Sequence, residues 1–336
     1  MTAVRALGLA AGFGLDRLLG DPRRGHPVAA FGRLASRFEP ITYADRRANG
    51  IVHVALLVGG TVAAGAVAAR GLRGSRYARP SLLDQRNGRW SSASRGTSKV
   101  YRDRAALIAL ATWSVLGGRS LEREAFAVHD LLVAGDLPAA RLRLTHLVGR
   151  DTTELTEGEV ARAVVESVAE NTSDAVVAPL FWGALAGLPG LLGYRAINTL
   201  DAMIGHHNER YEDFGWAAAR LDDLVNLPAA RLGGLAVLAA NPRRAAAAWR
   251  AWRRDARRHP SPNAGVVEAA FAGSLGIRLG GTNRYPGGRI EHRVVMGEGR
   301  SAGVGDIDAA VRLSRQVDRI VLVVASGISL VVRRNR

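Results

Sequence analysis

The sequence predicts an all-α, polytopic integral membrane protein with about four to five membrane helices and additional amphipathic or interfacial helices. Apolar residues make up 48% of the 336 residues, and they are concentrated in long runs between polar stretches. Alanine and glycine supply much of this apolar content, and small residues allow membrane helices to pack closely. No strand-rich region and no internal repeat is visible. We therefore treat residues 1–336 as a single membrane domain with a flexible basic loop at about residues 70–104.

The charge of the chain favours a membrane protein over a nucleic-acid-binding protein. The net charge is +16, and Lys99 is the only lysine among the basic residues. No basic run is interleaved with aromatic residues that could stack on bases, whereas cytoplasmic loops of membrane proteins are rich in arginine and lysine. We expect the lipid bilayer as a partner and no nucleic acid. Cysteine is absent, which excludes disulfides, thiolate metal sites and a cysteine nucleophile.

The first half of the chain contains three apolar segments. Residues 6–15 are apolar, but Asp16 and Arg17 follow without a clear cleavage site, so we expect a retained membrane or interfacial helix. Residues 52–69 are long enough to span a bilayer. Residues 105–118 form a shorter apolar segment, and an amphipathic helix follows.

The second half contains three further apolar segments and a cationic helix. Residues 175–194 carry no charge and are long enough to cross a bilayer, with Pro179 and Pro189 as expected kinks. Residues 225–240 are mostly apolar, residues 243–258 predict an arginine-rich interfacial helix, and residues 320–332 make up only part of a span. Arginines on both sides of the first predicted span leave the orientation open.

A polar stripe precedes the uncharged segment. Arg162, Glu166, Glu170 and Asp174 recur every fourth residue, which places them on one face of a helix. A solvated face with ion pairs is the simplest interpretation, but this stripe leads directly into an apolar segment. Carboxylates so close together repel unless a cation or hydrogen-bond donors offset them, and Mg²⁺ bridging phosphates would do so. We therefore assign Glu166 and Glu170 as catalytic candidates, Asp174 as a metal ligand and Asn171 as a substrate-binding residue.

A second polar group follows the uncharged segment. If the intervening helices fold as a hairpin, the two groups meet and form a pocket of oxygen ligands, with arginines available to bind phosphate. His206 and His207 are adjacent and lack the spacing of a paired metal site. We assign a catalytic role to Asp201, substrate or phosphate binding to Asn198, Asn208, Arg210 and Arg220, and metal binding to Glu209, Asp213, Asp222 and Asp223.

Two more blocks frame these groups. Residues 15–28 place Asp16 and a Gly-Asp-Pro turn after the first helix. Residues 261–284 contain a helix-capping Ser-Pro-Asn and the pair Gly280-Gly281, which we interpret as a flexible turn because the lysine of a phosphate-binding loop is missing. We assign Asn263, Asn283 and Arg150 to substrate or phosphate binding.

Four segments together resemble the CobD/CbiB family, the adenosylcobinamide-phosphate synthases of cobalamin biosynthesis. They occur in the family's order and extend from residue 15 to about residue 290, and the basic loop near residues 71–100 is longer than the family pattern. The segments are LDRLLGDPRRGHPV, VGRDTTELTEGEVARAVVESVAENTSDAVVAPLFW, YRAINTLDAMIGHHNERYEDFGWAAARLDD, and SPNAGVVEAAFAGSLGIRLGG with Asn283.

The resemblance implies a multi-pass enzyme of the cell membrane that acts late in the corrin pathway, with its active site facing the cytoplasm. Such an enzyme joins the free propionate carboxyl of adenosylcobyric acid to aminopropanol or its phosphate. ATP is consumed as a co-substrate with Mg²⁺, the corrinoid is the substrate, and other corrin-pathway enzymes are candidate partners. The roles that we give to single residues are hypotheses from the sequence pattern.

Two other functions fit parts of the pattern. An intramembrane Mg²⁺-dependent transferase that acts on a diphosphate or CDP-activated lipid would also place acidic and amide residues at helix ends, but the chain lacks a clean DxxxD or NDxxD run. A non-enzymatic membrane scaffold or transporter is the second alternative, although a transporter would be expected to show inverted repeats.

Overall fold

The computed structural model describes residues 2–22, 25–71, 92–206, 208–285 and 288–332. Within these ranges the chain is mostly helical, as predicted, with a small sheet near its C-terminus. The helices are α1 Thr2–Leu19, α2 Pro27–Thr42, α3 Arg47–Gly71, α4 Ser92–Val115, α5 Gly118–Val133, α6 Leu137–Leu144, α7 Glu157–Thr172, α8 Ala178–Ala186, α9 Leu188–Ile204, α10 Trp216–Ala240, α11 Ala245–Asp255, α12 Ala264–Leu275 and α13 Gly305–Val331. A π turn, Ser173–Val177, joins α7 to α8.

The larger hydrophobic core surrounds α7 and α13. Thr156 begins α7 with a capping box, in which its hydroxyl and the Glu159 carboxylate bond each other's backbone N–H groups. Most residues of α7 are buried, and α13 packs against α1, α7, α8 and α10. A second core, between α2, α3 and α9, includes Leu57, Leu200 and Phe214. Contacts of α9 and α10 with α3 on one side and with α8 on the other connect the helices of the two cores.

A three-stranded sheet departs from the all-α prediction. The strands are β1 Ile277–Arg284, β2 Ile290–Met296 and β3 Arg300–Ser301, in the order β2-β1-β3. The interpretation of Gly280-Gly281 as a flexible turn was wrong, because both glycines lie within β1. They have φ of 86° and 106° and form a bulge between Leu279 and Gly281, a conformation that glycine adopts without a steric cost.

The uncharged segment 175–194 does not form one membrane crossing. It folds back on itself as the α8–α9 hairpin, with the turn at Gly187, which has φ 68°. Pro189 lies in the first turn of α9, where proline's missing N–H group costs nothing. Pro179 follows the π turn within continuous helical backbone, and the carbonyl oxygen of Ala175, four residues before it, accepts the N–H of Gly117 instead. The hairpin brings together the two polar groups on either side of the segment, which is the condition under which the sequence predicts a shared pocket.

Fewer spans are evident than the predicted four to five. In the described part of the chain, α3 and α10 are long and apolar enough to cross a membrane. Only 22% of the most apolar stretch of α3 is buried against the rest of the protein, so most of this helix faces outward. The predicted loop at residues 70–104 is shorter, since α4 begins at Ser92, and residues 72–91 lie outside the described residues.

Candidate functional site

The π turn determines where the acidic stripe of α7 ends. A π turn contains one more residue than an α-helical turn and frees backbone carbonyls that need other donors. Here the Tyr194 hydroxyl lies 3.0 Å from the carbonyl oxygen of Asp174, and the Gly117 N–H lies 3.3 Å from that of Ala175. The turn is therefore held by α9 on one side and by α5 on the other, with Asp174 at its start.

An arginine–glutamate cluster lies beside α7 and consists of Arg150, Glu166, Glu170, Glu268 and Arg293. Arg150 is buried and donates to Glu166 at 2.6 Å. Its second nitrogen donates to Asn283 of β1 at 2.7 Å. The other oxygen of Glu166 accepts the Gly280 N–H at 2.7 Å. Glu166 therefore joins the sheet to α7, with both oxygens occupied.

Glu268 is the most deeply buried carboxyl of the arginine–glutamate cluster. Its side chain is fully buried, and neither oxygen has a hydrogen-bond partner in the described part of the chain. His259 Nε2 lies 3.7 Å from one of them, while His259 Nδ1 accepts the Ser261 N–H at 3.1 Å. Burial raises the pKa of Glu268 well above its usual range, and the neighbouring carboxylates Glu166 and Glu170 raise it further.

Glu170 differs from Glu166 and Glu268 because it is partly exposed. Desolvation raises its pKa, and the positive charges of Arg293 and Arg150 partly offset this effect. Arg293 lies on β2, where it donates to Tyr285 at 3.0 Å and to Glu291 at 3.3 Å. Glu170 is therefore an accessible carboxyl beside a fixed cation.

An aspartate cluster adjoins the first, one turn along the chain from Glu170. It consists of Asp174 from the π turn, Asp201 from α9 and Asp222 from α10. Burial raises the pKa of Asp174 well above its usual range, and the charges of Asp222, Glu170 and Asp201 add to this effect. The three carboxylates therefore share one electrostatic environment with the arginine–glutamate cluster.

Amide and phenol groups hold the aspartate cluster in place. Asn226 donates to Asp222 at 2.9 Å and has its carbonyl oxygen 2.9 Å from the Tyr194 hydroxyl. Asn198 lies 3.5 Å from Asp222 and 3.3 Å from Arg195. The Tyr194 hydroxyl thus connects the π turn on one side to Asn226 and α10 on the other.

No group of three histidine, aspartate or glutamate side chains in the described residues converges closely enough to hold a metal ion by itself. Mg²⁺ is usually held by one or two carboxylates together with water and substrate phosphates. Asp174 and Asp222 fit that pattern. Each carboxylate lies near other negative charges, and the hydrogen-bond donors of the protein, such as the Asn226 amide, offset this repulsion only partly.

Eight of the sixteen predicted site residues belong to these two clusters or contact them. Asn171 turns back along its helix and donates to the Ser167 carbonyl, and Asn263 donates to the backbone of Asp223 and accepts from Arg231. The predicted residues that belong to the clusters or contact them are Arg150, Glu166, Glu170, Asp174, Asn198, Asp201, Asp222 and Asn283.

The remaining predicted residues lie elsewhere. Between α9 and α10, Asn208 caps a turn by accepting two backbone N–H groups, and Glu209 is exposed. Arg210 pairs with Glu39 at 2.7 Å, and Asp213 pairs with Arg47 at 2.9 Å. These ion pairs attach the turn to α2 and α3. On α10, Arg220 lies 3.8 Å from Asp223 at the exposed surface.

Four residues that the sequence interpretation did not select complete the clusters: Tyr194, Asn226, Glu268 and Arg293. Glu268 is the only charged residue of α12, AGVVEAAFAGSL, and an isolated carboxylate in an apolar helix was a usable signal. Arg293 gave no such signal, because the pairing of β2 with β1 determines its position.

Comparisons with known proteins agree on one family. The family model described as CobD/Cbib protein matches residues 9–314. The cobalamin biosynthesis protein CobD of Mycobacterium tuberculosis (strain ATCC 25618 / H37Rv) is 49% identical over 336 residues, covering 98% of this chain and 97% of that protein. The protein of the same name from Geobacter metallireducens is 45% identical over 281 residues, covering 81% and 80%. No solved structure matches the chain.

The hydroxyl of Tyr194 provides a test of the geometry. We expect Tyr194→Phe to lower the free energy of unfolding by ~1–3 kcal/mol, because a buried acceptor loses its donor. Tyr211→Phe is the matched control: it removes a hydroxyl that donates to Glu39 in a partly exposed position, and it should cost less than ~1 kcal/mol. Denaturant unfolding of the purified proteins measures both, and equal losses would contradict the arrangement.

Proposed function

The chain belongs to the CobD/CbiB family and acts in cobalamin biosynthesis, and we propose that it is an ATP-dependent amide ligase. The reaction joins aminopropanol or its phosphate to the free propionate carboxyl of adenosylcobyric acid. The observation that best supports this proposal is the contact between the arginine–glutamate cluster and the aspartate cluster across a single π turn. Two fixed arginines, a partly exposed carboxyl group and three aspartates therefore lie near one another.

Amide formation from a carboxylate requires activation. A carboxylate oxygen attacks the γ-phosphorus of ATP, which gives an acyl phosphate and ADP. The amine nitrogen then attacks the acyl carbon, the bond from that carbon to the phosphate oxygen breaks, and the nitrogen loses a proton. The protein must therefore neutralise a transferring phosphoryl group and accept one proton.

Arg293 is the cation that we assign to the phosphoryl group. Arg150 is already committed to Glu166 and Asn283, whereas Arg293 is held at the cluster by Tyr285 and Glu291. A guanidinium fixed in this way stabilises developing negative charge without reorganising. Arg150 acts as a positioning residue because it fixes the sheet that carries Arg293.

Glu170 is the general base in this proposal. It is the partly exposed carboxyl of its cluster, and its raised pKa makes it a stronger base than an ordinary glutamate. Glu268 is fully buried and cannot contact substrate. Its part is electrostatic, together with His259.

Mg²⁺ would be held by Asp174 and Asp222, and it would neutralise the phosphates of ATP when bound. Asp201 lies near enough to contribute charge to both. The π turn holds the carboxylate of Asp174, and α10 holds that of Asp222. Asn226 fixes the orientation of the Asp222 side chain.

The decisive experiment is a reaction with purified protein in detergent or reconstituted membranes. The protein is supplied with adenosylcobyric acid, ATP, Mg²⁺ and either aminopropanol or its phosphate. The amide product is detected by mass spectrometry. We expect product only when ATP is present. Protein that binds the corrinoid but forms no amide with either amine would overturn the ligase proposal.

The pH dependence of the reaction tests Glu170. The base must be deprotonated, so the rate should fall as pH decreases through a pKa that lies above that of an ordinary glutamate. This fall in rate at low pH is the acidic limb of the pH–rate profile. We expect Glu170→Gln to remove the acidic limb and to lower kcat by roughly 100-fold or more. Glu157→Gln, an exposed residue in the first turn of the same helix, should keep both rate and limb. An unchanged limb in Glu170→Gln would exclude it as the base.

The Mg²⁺ requirement tests the aspartate cluster. We expect Asp174→Asn and Asp222→Asn to raise the Mg²⁺ concentration that gives half-maximal rate by roughly tenfold or more, because each removes a charged ligand. Asp213→Asn, which removes the partner of Arg47 at the surface, should leave the requirement unchanged. If all three variants respond alike to Mg²⁺, the metal is not bound at this cluster.

The location of the protein is a further part of the proposal. We place α3 and α10 across the cell membrane, with the clusters toward the cytoplasm, where ATP is available. Since the chain has no cysteine, single cysteines report on this directly. Leu56, on α3, and Arg46, just before it, are both exposed in the structure.

We expect a membrane-impermeant maleimide to label Arg46→Cys but not Leu56→Cys in permeabilised cells, because lipid covers Leu56. In intact cells neither should react if Arg46 faces the cytoplasm. Labelling of Leu56→Cys as rapid as that of Arg46→Cys would show that α3 does not lie in the bilayer.

A further inference from the structure

A cavity lies apart from both clusters, between α11, the C-terminal end of α12 and the turn that joins β2 to β3. Its volume is about 210 Å³, and we call it the α11 cavity; Arg244, Arg250, Arg254, Gly276 and Glu298 are among its lining residues. Gly276 is eight residues beyond Glu268, which corresponds to ~12 Å along α12. The α11 cavity is therefore separate from the site proposed for amide formation.

Two of the three arginines in this cavity have no hydrogen-bond or ion-pair partner among the described residues. Arg254 is neutralised, since it donates to both oxygens of Asp255 at 2.6 and 2.8 Å and pairs with Glu298. Arg244 and Arg250 form no hydrogen bond or ion pair with the described residues. Three arginines therefore face two carboxylates, Asp255 and Glu298, and both carboxylates pair with Arg254, so the cavity keeps an excess of positive charge at Arg244 and Arg250.

Glycines create the space for one of these guanidinium groups. A Cβ atom added at Gly276 would lie 2.1 Å from Nη2 of Arg244, and Gly276 has φ 72°. A Cβ atom at Gly273 would lie 2.6 Å from the carbonyl oxygen of Ala247, so α11 and α12 pack in close contact. Arg244 lies over this bare backbone without bonding a carbonyl oxygen, so its position is not explained as a helix cap.

The size and charge of the α11 cavity indicate its ligand. It is smaller than the cavities of ~300 Å³ or more that hold drug-sized ligands, and planar guanidinium groups match the oxygens of a phosphate. The outer face of the same segment is rich in exposed arginines and includes the exposed Trp249, a composition typical of a helix at a membrane surface. Arg253 lies over the Trp249 ring.

We propose that the α11 cavity binds a phosphate group through Arg244 and Arg250. The group comes either from an anionic phospholipid headgroup or from a soluble phosphorylated molecule. This inference does not depend on the proposed ligase activity, because none of its residues belongs to either cluster.

The test compares two variants of equal charge. Arg244→Gln/Arg250→Gln removes both unpaired cations of the cavity. Arg257→Gln/Arg258→Gln removes two exposed arginines of the next turn, which do not line it. The full chain is delipidated in a neutral detergent and titrated with glycerol 3-phosphate. In parallel, nanodisc-embedded protein is compared in phosphatidylglycerol and phosphatidylcholine by the number of lipids retained after extraction.

We expect the cavity variant to lose affinity by roughly tenfold or more for at least one probe, since it removes two charge-assisted interactions, while the control variant binds like the wild type. Loss confined to glycerol 3-phosphate identifies a soluble ligand, and loss confined to retained phosphatidylglycerol identifies a lipid. The proposal is overturned if the wild type binds neither probe, or if both variants weaken binding equally. All four arginines are exposed, so the variants should fold, and circular dichroism verifies this.

Discussion

The site depends on one buried arginine. Arg150 donates short hydrogen bonds to Glu166 of α7 and to Asn283 of β1. The side chains of Arg150 and Glu166 are both almost completely buried. Breaking such a pair leaves an uncompensated buried charge, at a cost of ~3–5 kcal/mol. Because the same glutamate also accepts the N–H of Gly280, this contact fixes the sheet against the helix that carries the acidic stripe. Arg293, on the next strand, acquires its position beside Glu170 from that attachment.

The chemistry that we propose follows from how the protein distributes its charges. The arginine–glutamate cluster contains three carboxyl groups and two arginines, and burial raises the pKa of both Glu170 and Glu268. The aspartate cluster has fewer fixed cations, so it is the better place for an added one. The π turn separates the two environments by a single helical turn, and Tyr194 and Gly117 supply the donors that its carbonyls need. In the proposed reaction the base Glu170 and the phosphoryl-binding Arg293 therefore lie in one cluster, and the Mg²⁺ ligands lie in the other.

Local periodicity explains what the sequence could predict. The i, i+4 stripe through Glu166, Glu170 and Asp174 required only a helix, and the structure confirms a helix over these residues. The turn between α9 and α10 contains the same residue types, yet Arg210 and Asp213 pair with residues of α2 and α3. Spacing along the chain carries no information about such partners. The sheet was missed for the same reason, because glycines in β1 resemble a turn until β2 pairs with them.

We propose that Arg150 keeps Arg293 and Glu170 together as one working unit. The most direct measurement is a double-mutant cycle on the rate of amide formation, with Arg293→Gln and Glu170→Gln, repeated in an Arg150→Gln background. We expect strong coupling, so that the double variant is little worse than either single variant. We expect this coupling to be lost when Arg150 is replaced. Additive effects of Arg293→Gln and Glu170→Gln in the otherwise unchanged protein would contradict it.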